Sequence, residues 1–208
     1  MAFTYFFRDS QTLDAIVANV LPMLQGYQYI HIWDAGCAHG PEPYSIAIML
    51  RERMSHFMFR NVRIYATDVD NQFGRIIEEG VYPAGEVERI PPAIKWKYFT
   101  ETERKGYYKI DDEIRSCVKF SQHDLLSLKP IRGELSLIVC KNVLLHLKSE
   151  ERVDVIEIFF DALREGGFLA MENTQEMPYR VKEMFEPITC LAQVFRKVNT
   201  RARQRLAA

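Results

Sequence analysis

The stretch YIHIWDAGCAHGPEPYS, residues 29–45, decides the fold of this chain. Its apolar first part, residues 29–33, predicts a buried strand that ends at the turn around Gly36, and a helical run opens at Tyr44. A glycine lets the backbone approach a ligand closely, and the first turn of a helix offers unpaired N–H groups. Strand, glycine turn and helix together predict a nucleotide-type site. A turn without a ligand is the alternative for this stretch alone.

The ligand expected at this turn carries no phosphate. A dinucleotide-binding G-x-G-x-x-G pattern would need glycines where Ala38 and Pro41 stand. A pyrophosphate cofactor is therefore disfavoured, and an adenosine ligand without phosphates fits the turn better.

The composition bounds the class of protein. The chain has 208 residues, which suits one domain with a small appendage. Hydrophobic residues make up 48% and the formal net charge is −1, which predicts a sizeable core and no nucleic-acid partner. There is no signal peptide and no apolar run near 18 residues, so membrane insertion is not expected. The basic C-terminal residues are interpreted as a solvated end: Arg196, Lys197, Arg201, Arg203 and Arg205.

The four cysteines are isolated from one another: Cys37, Cys117, Cys140 and Cys190. They form no C-x-x-C pair, so zinc and redox motifs are not expected and no metal site is predicted. Buried, reduced thiols are typical of cytosolic proteins, which predicts a cytoplasmic location.

An acidic residue follows the second predicted strand, residues 61–67. Asp68 stands at its end, where a carboxylate can accept hydrogen bonds from both hydroxyls of a ribose. A helix cap is the alternative role, which Asp70 could supply alone. The sequence therefore favours Asp68 as a ribose ligand.

Polar residues also end two further predicted strands. Asp124 follows residues 118–121 and could accept a hydrogen bond from an adenine amino group, with a turn aspartate as an equal alternative. Lys141 and Asn142 follow the apolar run LSLIVC, which predicts a central strand. Side chains just past such a strand are expected over the ligand crevice.

Periodicity and turn residues predict the remaining elements. The aromatic N-terminus MAFTYFFR is expected to pack onto the body and hold Arg8 against it. Helices are predicted from a cap at Asp9 or Ser10 to about Leu24, over 44–57, over 71–79, and over 150–163 with a stop at Gly166 and Gly167. A strand over 168–171 and a final helix with a strand or hairpin over 181–198 complete the pattern. The long irregular segment 81–112 predicts a functional loop or subdomain, and alternation around Tyr108 and over 114–120 predicts a β-hairpin.

Six short blocks occur in order along the chain. They are T-x-F-F-R at Thr4 to Arg8, G-C-x-x-G-x-E-P-Y-S at Gly36 to Ser45, A-T-D-x-D at Ala66 to Asp70, G-x-Y at Gly80 to Tyr82, C-[RK]-N-V at Cys140 to Val143, and the Gly166-Gly167 turn. Each block alone is weak evidence for a protein family. Together they resemble the CheR family, the S-adenosylmethionine-dependent glutamate methyltransferases of chemotaxis receptors.

This resemblance implies the fold. It is the α/β class I methyltransferase fold, a Rossmann-like sheet of seven strands with helices on both faces and a partly antiparallel last pair. Residues 1–208 would form a single methyltransferase domain, and residues 81–120 would hold a small inserted β-subdomain.

The resemblance also implies a cofactor, S-adenosylmethionine (SAM), with S-adenosylhomocysteine as its product. The implied cofactor-binding positions are Thr4, Arg8, Gly36, Ala38, Glu42, Asp68, Asp124, Leu125, Lys141 and Asn142. Arg8 would reach the methionine carboxylate and the reaction centre, and Glu42 the amino group or the sugar region. Asp68 would hold the ribose, residues 124–125 would frame the adenine, and residues 141–142 would border the sulfonium.

The chain departs from the family pattern mainly on the acceptor side. The block C-R-N-V-x-I-Y-F reads C-K-N-V-L-L-H-L, so His146 stands where a Tyr beside the methyl site is usual. The closing G-x-S-E reads E-N-T-Q at residues 172–175, and the G-E-E-P pair is reduced to Pro41 and Glu42. The family usually carries an N-terminal helical domain, whereas this chain begins three residues before Thr4.

The expected function is methyl transfer to glutamate carboxylates of a chemoreceptor-like protein, with Arg8 and His146 as catalytic residues. A glutamate carboxylate is ionised at neutral pH, since its ordinary pKa is about 4.3, so no general base is required. Arg8 has the forked geometry that orients a carboxylate, and His146 can donate a hydrogen bond as the usual Tyr would. A histidine can also accept a proton near neutral pH, which would suit a hydroxyl acceptor.

Two other classes of function stay open. One is a SAM methyltransferase that acts on a small molecule or another protein, which the missing helical domain and His146 favour. The other is a regulatory module that binds SAM or S-adenosylhomocysteine without catalysis.

Overall fold

The computed structural model describes residues 4–198, so Arg201, Arg203 and Arg205 of the basic tail lie outside the described residues. The strands are β1 (Ile30–Ala35), β2 (Val62–Asp68), β3 (Val81–Pro83), β4 (Phe99–Glu101), β5 (Tyr107–Ile110), β6 (Val118–Gln122), β7 (Leu135–Cys140), β8 (Leu163–Met171), β9 (Phe185–Pro187) and β10 (Val194–Lys197). Seven of them form one sheet in the order β6-β2-β1-β7-β8-β10-β9. β10 runs antiparallel to β8 and to β9, and the other neighbours are parallel. The predicted seven-stranded sheet with a partly antiparallel end is confirmed.

The helices connect the strands and cover the sheet. They are α1 (Ser10–Ala15), α2 (Leu21–Leu24), α3 (Pro41–Arg53), α4 (His56–Phe59), α5 (Gln72–Glu79), α6 (Ala84–Val87), α7 (Pro92–Tyr98), α8 (Asp112–Cys117) and α9 (Ser149–Ala162), with 3-10 turns at Leu125–Ser127, Leu144–His146 and Tyr179–Met184. A π-helical turn, Ile16–Val20, joins α1 to α2, so the predicted first helix is confirmed. Within residues 4–198, no helix has the length and apolarity to cross a membrane.

The large sheet is buried on both faces. In β1, Ile32 belongs to an apolar cluster that includes α3, and the next residue, Trp33, belongs to a second cluster that includes α9. Successive side chains of a strand point to opposite faces, so β1 serves both clusters. All six residues of β7 are buried, as expected of a central strand covered by helices on both sides.

The bounds of α3, which ends at Arg53 rather than near residue 57, and of α9 differ from the sequence prediction. α3 begins at Pro41 rather than Tyr44. A helix can begin at proline because the N–H that proline lacks has no intrahelical partner at the first helical position. Asp9 is the N-cap residue of α1, as predicted, although it adopts a left-handed φ of 54° and its side chain makes no capping hydrogen bond.

The predicted stop of α9 at the glycine pair is wrong, because the helix ends at Ala162 and both glycines lie in β8. A Cβ on Gly167 would lie 2.9 Å from the Leu135 carbonyl oxygen of β7, so this close approach of the two strands requires glycine.

Residues 81–110 contain a second, three-stranded antiparallel sheet in the order β3-β5-β4, which we call the small sheet. β5 pairs with β3 on one side and with β4 on the other. The predicted hairpin between β5 and residues 114–120 is wrong, because α8 intervenes and β6 joins the large sheet beside β2. Ile114 and Cys117 are buried at the spacing of one helix face. An inserted subdomain over 81–120, within one domain of 1–208, stays a prediction.

The N-terminal segment packs against the small sheet. The buried Phe6 ring meets the rings of Tyr82 and Phe99 edge to face, with centroids 5.0 and 5.3 Å apart. The Phe7 N–H donates to Ser45 Oγ of α3 at 2.8 Å. The prediction that the aromatic N-terminus packs onto the body is confirmed, and this packing fixes the backbone just before Arg8.

Candidate functional site

A cavity of about 530 Å³ opens where β1, β2 and β7 end. The carboxyl ends of neighbouring parallel strands are where α/β sheets bind ligands. Nine of the eleven predicted site residues line the cavity: Thr4, Arg8, Gly36, Ala38, Glu42, Asp68, Lys141, Asn142 and His146. Val143, Leu145 and Leu147 complete the lining. Sequence reasoning missed these three, although they follow the central strand directly.

The two predicted residues outside the lining are Asp124 and Leu125. Asp124 Oδ1 accepts a hydrogen bond from the Leu126 N–H at 2.9 Å and so caps the 3-10 turn Leu125–Ser127. This contact corresponds to the turn-aspartate alternative for Asp124. A role of either residue at an adenine stays a prediction.

The turn after β1 requires glycine at its first position. Gly36 has a φ of +98°, and a Cβ there would collide with the Val143 side chain. The N–H groups of Gly36 and Cys37 both donate to the Thr67 carbonyl oxygen, at 2.8 and 2.9 Å. The turn is therefore tied to the end of β2, and its backbone forms one wall of the cavity.

Asp68 links that turn to the end of β2. Its Oδ2 accepts from the Ala38 N–H at 3.0 Å, and its Oδ1 accepts from the Asp70 N–H at 3.1 Å. Asp70, in turn, accepts from the Gln72 N–H at the start of α5. Each carboxylate oxygen can accept two hydrogen bonds, so both oxygens of Asp68 keep capacity for a diol.

A buried ion pair joins β7 to the first turn of α3. Lys141 Nζ lies 2.9 Å from Glu42 Oε2 and donates to the Arg8 carbonyl oxygen at 3.2 Å. The Lys141 side chain is 0% exposed and that of Glu42 is 10% exposed. Glu42 also lies where the dipole of α3 favours a negative charge.

Asn142 orients Arg8. The Arg8 Nη2 donates to Asn142 Oδ1 at 3.1 Å, and Asn142 Nδ2 donates to Asp9 Oδ2 at 3.3 Å. The Asn142 N–H donates to Oε2 of the buried Glu172 at 3.1 Å. Sequence reasoning did not assign Asp9 or Glu172 to the site, because these contacts join segments that are far apart in the chain.

Backbone strain concentrates around the cavity. Among residues 4–198, six non-glycine residues have a positive φ, and four of them line the cavity or flank Arg8: Phe7, Asp9, Ala38 and Asn142. Each such conformation costs about 1–3 kcal/mol and persists only where the surroundings impose it. The strain therefore marks this cavity as the place where the fold is adjusted to a function.

Asp34, the fifth residue of β1, lies fully buried beside the cavity. Burial, followed by the neighbouring Glu42 carboxyl, raises the pKa of Asp34 well above its ordinary value, and Lys141 opposes this rise. Within the described part of the chain, neither Asp34 oxygen accepts a hydrogen bond from an N–H or hydroxyl group. Sequence reasoning treated Asp34 only as the end of a strand.

Two cysteines near the cavity are not nucleophiles. Burial, with the nearby carboxylates, raises the pKa of the Cys37 and Cys140 thiols, so both stay protonated at neutral pH. His146 lies exposed at the rim, on the 3-10 turn Leu144–His146.

The side chains fit a ligand that carries an ammonium group, a carboxylate and a diol. The Glu42 carboxylate suits the ammonium group, the Asp68 carboxylate suits the diol, and the Arg8 guanidinium suits the carboxylate. Within the described residues, the buried oxygens of Asp34 have no hydrogen-bond donor. The described residues contain no group of three or more His, Cys, Asp or Glu side chains arranged to hold a metal ion.

Comparison with known sequences matches residues 2–194 to the family described as "CheR methyltransferase, SAM binding domain". The chain is 30% identical over 187 residues to chemotaxis protein methyltransferase 2 of Vibrio cholerae, covering 88% of this chain and 64% of that protein. It is 30% identical over 180 residues to the chemotaxis protein methyltransferase of Borreliella burgdorferi, covering 83% of this chain and 63% of that protein. The chain thus spans less than two thirds of the length of either relative.

Among solved structures, a methyltransferase from Geobacter sulfurreducens matches with a TM-score of 0.53 at 11% sequence identity. The match covers 92% of this chain and 80% of that one. At this identity the similarity concerns the fold alone, and it confirms the predicted methyltransferase-type α/β fold.

Proposed function

Since the chain belongs to the CheR methyltransferase family and contains its SAM-binding domain, we propose that it methylates glutamate carboxylates of a chemoreceptor-like protein. SAM, the cofactor of this domain, supplies an electrophilic methyl group on a sulfonium. The observation that carries the proposal is that eight residues implied by the family resemblance, together with His146, line one cavity. The names of the Vibrio cholerae and Borreliella burgdorferi relatives support a chemotaxis protein as the methyl acceptor.

In this proposal, each charged group of the cavity binds a different part of the cofactor. Glu42 binds the ammonium group, Asp68 binds the ribose hydroxyls, and Arg8 binds the carboxylate. Lys141 holds the Glu42 carboxylate through their 2.9 Å ion pair. Asp124 and Leu125 frame the adenine from beyond the cavity lining. Thr4, Gly36 and Ala38 form walls around the remaining atoms.

On the acceptor side, the reaction needs an oriented acceptor group and the exclusion of water, and it does not need a general base. A glutamate carboxylate is already ionised at neutral pH, so the protein has only to orient it and exclude water. The Arg8 guanidinium, steered by its 3.1 Å bond to Asn142, has the planar fork that orients a carboxylate. The apolar side chains of Val143, Leu145 and Leu147 line this side of the cavity, so a bound acceptor can displace water from it.

His146 completes the acceptor side and favours one second candidate. For a carboxylate acceptor, His146 donates a hydrogen bond from the rim, as the family's tyrosine would. An imidazole can also accept a proton, which a hydroxyl acceptor would need to lose. Its place in the cavity lining therefore makes methylation of a hydroxyl group, on a small molecule or another protein, the second candidate function.

The small sheet is the proposed docking site for the protein partner. Among residues 4–198, β4 pairs only with β5, so its outer edge can add a strand from an extended peptide. Phe6 and Tyr82 connect this sheet to the segment that carries Arg8. A cytoplasmic location is part of the proposal, because thiols such as Cys37 and Cys140 stay reduced there.

Transfer of label from tritiated SAM tests the proposed function. The full chain is incubated with a chemoreceptor cytoplasmic fragment, and the labelled fragment is treated with mild alkali. Methyl esters of carboxylates hydrolyse under these conditions, whereas methyl ethers and N-methyl groups do not. Alkali-labile label supports glutamate methylation, and a fragment whose glutamates are replaced by alanine is the control. Stable label would support a different acceptor, and SAM binding without transfer would support a regulatory module.

A further inference from the structure

We propose that Glu172 is a positioning residue for Arg8, because it fixes the backbone of Asn142, whose side chain holds the Arg8 guanidinium. This inference rests on the proposed role of Arg8 at the cofactor carboxylate. It gives a function to a buried glutamate that lies behind the lining of the cavity.

Glu172 stands on a fixed part of the backbone, directly after β8. The Met171 N–H before it donates to the Gln193 carbonyl oxygen at 2.9 Å, and the Gln193 N–H donates to Asn173 Oδ1 at 3.1 Å. The Glu172 carbonyl oxygen accepts from the Gln175 N–H at 3.2 Å. Because the residues on both sides are held, the fold sets the direction of the Glu172 side chain.

The Glu172 carboxylate accepts the N–H of a residue that has left the sheet. β7 and β8 pair as far as Cys140 and Met171, so the Asn142 N–H lies beyond the last paired residues of the two strands. Glu172 Oε2 accepts from this N–H at 3.1 Å. Glu172 is 3% exposed, so the contact is shielded from competing water.

This hydrogen bond acts on a backbone that needs a constraint. Asn142 has a φ of 58°, and a non-glycine residue keeps such a left-handed conformation only where its surroundings impose it. The bond from the Asn142 N–H to Glu172 is one such constraint.

The side chain of Asn142 passes the constraint on to Arg8. Its Oδ1 accepts from Arg8 Nη2 at 3.1 Å, and its Nδ2 donates to Asp9 Oδ2 at 3.3 Å. An amide has one accepting end and one donating end, so only one of its two orientations makes both bonds. A shift of the Asn142 backbone would therefore move the guanidinium that faces the cofactor.

The contacts of Glu172 favour a positioning role over a stabilising one. Within the described residues, its buried Oε1 has no hydrogen-bond partner, so Oε2 alone connects the carboxylate to the site. Burial of a carboxylate costs free energy that a single hydrogen bond does not offset. The family block has a glycine at this position, so the bond to Asn142 is a feature of this chain.

Binding of two forms of the cofactor tests the inference. SAM has the carboxylate that Arg8 binds, whereas decarboxylated SAM has the same sulfonium, ammonium group and ribose without it. Glu172→Met keeps a side chain of similar length but removes the carboxylate acceptor. In calorimetry of the full chain, this variant should bind SAM about tenfold more weakly, as expected for one lost hydrogen bond to a charged group. Its affinity for decarboxylated SAM should not change.

Three more variants show whether the effect passes through Asn142. Glu172→Gln keeps an oxygen that can accept the Asn142 N–H, so it should bind SAM as the unchanged protein does. Glu176→Met makes the same replacement at an exposed glutamate of the same segment and should alter neither affinity. The double variant Glu172→Met with Asn142→Ala should bind SAM no more weakly than Asn142→Ala alone.

Each outcome decides the inference. Unchanged SAM affinity in Glu172→Met, an equal loss for both ligands, or a further loss in the double variant would overturn it and leave the proposed function intact. If the unchanged protein binds the two ligands equally well, the role of Arg8 at the carboxylate is wrong and the inference fails with it. Failure of the unchanged protein to bind SAM would refute the proposed function as well. If Glu172→Met does not fold, Glu172→Gly removes the same acceptor and replaces it in every comparison.

Discussion

Replacement of Lys141 by methionine should destabilise the protein strongly, because it removes the cation at the centre of a buried cluster. Lys141 Nζ lies 2.9 Å from Glu42 Oε2 and donates to the Arg8 carbonyl oxygen. Methionine fills much of the same volume, so the cavity term is small. What remains is the charge of Glu42, beside Asp34, without its partner.

The magnitude follows from the burial of the pair. The two side chains are 0% and 10% exposed, so water cannot replace the lost partner of Glu42. Breaking a buried pair by removing one member costs about 3–5 kcal/mol. Against a typical folding stability of about 5–15 kcal/mol, Lys141→Met should lose about a fifth of the total or more.

The loss should depend on pH in a definite direction. The pKa of Asp34 is raised in the folded protein, so its contribution to stability is complete below the ordinary value near 3.9 and is lost as pH rises through the raised value. Lys141 opposes that rise. Without Lys141 the decline extends to higher pH, so the deficit of Lys141→Met should be smaller at pH 5 than at pH 8.

Urea unfolding at both pH values measures these differences. Lys141→Arg is the matched control, since it keeps a cation that the family pattern accepts at this position, and it should lose much less. A loss below about 1 kcal/mol, or a deficit that grows as pH falls, would refute the assignment of a buried, charge-balanced cluster.

Three further changes test the proposed site. Asp68→Ala should weaken SAM binding by about 1.5–3 kcal/mol in calorimetry, because it removes hydrogen bonds to a charged group, whereas unchanged affinity would disprove a ribose role. His146→Tyr should keep or raise methylation of a carboxylate, with initial rates nearly flat from about pH 6 to 8. A steep rise with pH that disappears in His146→Tyr would instead indicate a hydroxyl acceptor. Glu101→Pro removes the N–H on the outer edge of β4 and should abolish binding of a receptor peptide in fluorescence anisotropy without affecting SAM. Glu101→Ala, which loses the same side chain but keeps the N–H, should bind both.

The parts of the fold that the sequence predicted correctly depend on local patterns. β1, the glycine turn and α3 are adjacent in sequence, so apolar runs, Gly36 and the following helical pattern were sufficient. β7 was equally clear, because an unbroken apolar run of six residues fits a strand covered on both faces.

The sequence predictions of secondary structure were wrong where contacts between distant parts of the chain determine the structure. The run around Ile114 alternates well enough for a strand, but packing of α8 against α3 makes it helical. The glycine pair resembles a helix stop, but close pairing of β8 with β7 uses Gly167 in a strand. Local propensity could not predict either outcome, because the partner lies tens of residues away.

The site residues also fall into two groups: those that local sequence predicts and those that depend on tertiary contacts. Residues that end a strand, such as Asp68 and Lys141, were identified from the sequence, because the ends of parallel strands share one edge of the sheet. Asp34 and Glu172 were not, since the burial of Asp34 and the contact of Glu172 arise only in the folded chain. A charged residue inside an apolar strand was the available signal for Asp34.

The two departures from the family pattern on the acceptor side are close together in space. His146 lies on the segment that follows β7, and Glu172, where the family block has a glycine, accepts a hydrogen bond from the Asn142 N–H on that same segment. Asn142 in turn orients Arg8. Glu42 and Asp68, which we assign to the cofactor, lie on α3 and at the end of β2. A change of methyl acceptor can therefore be confined to the segment after β7 and the end of β8.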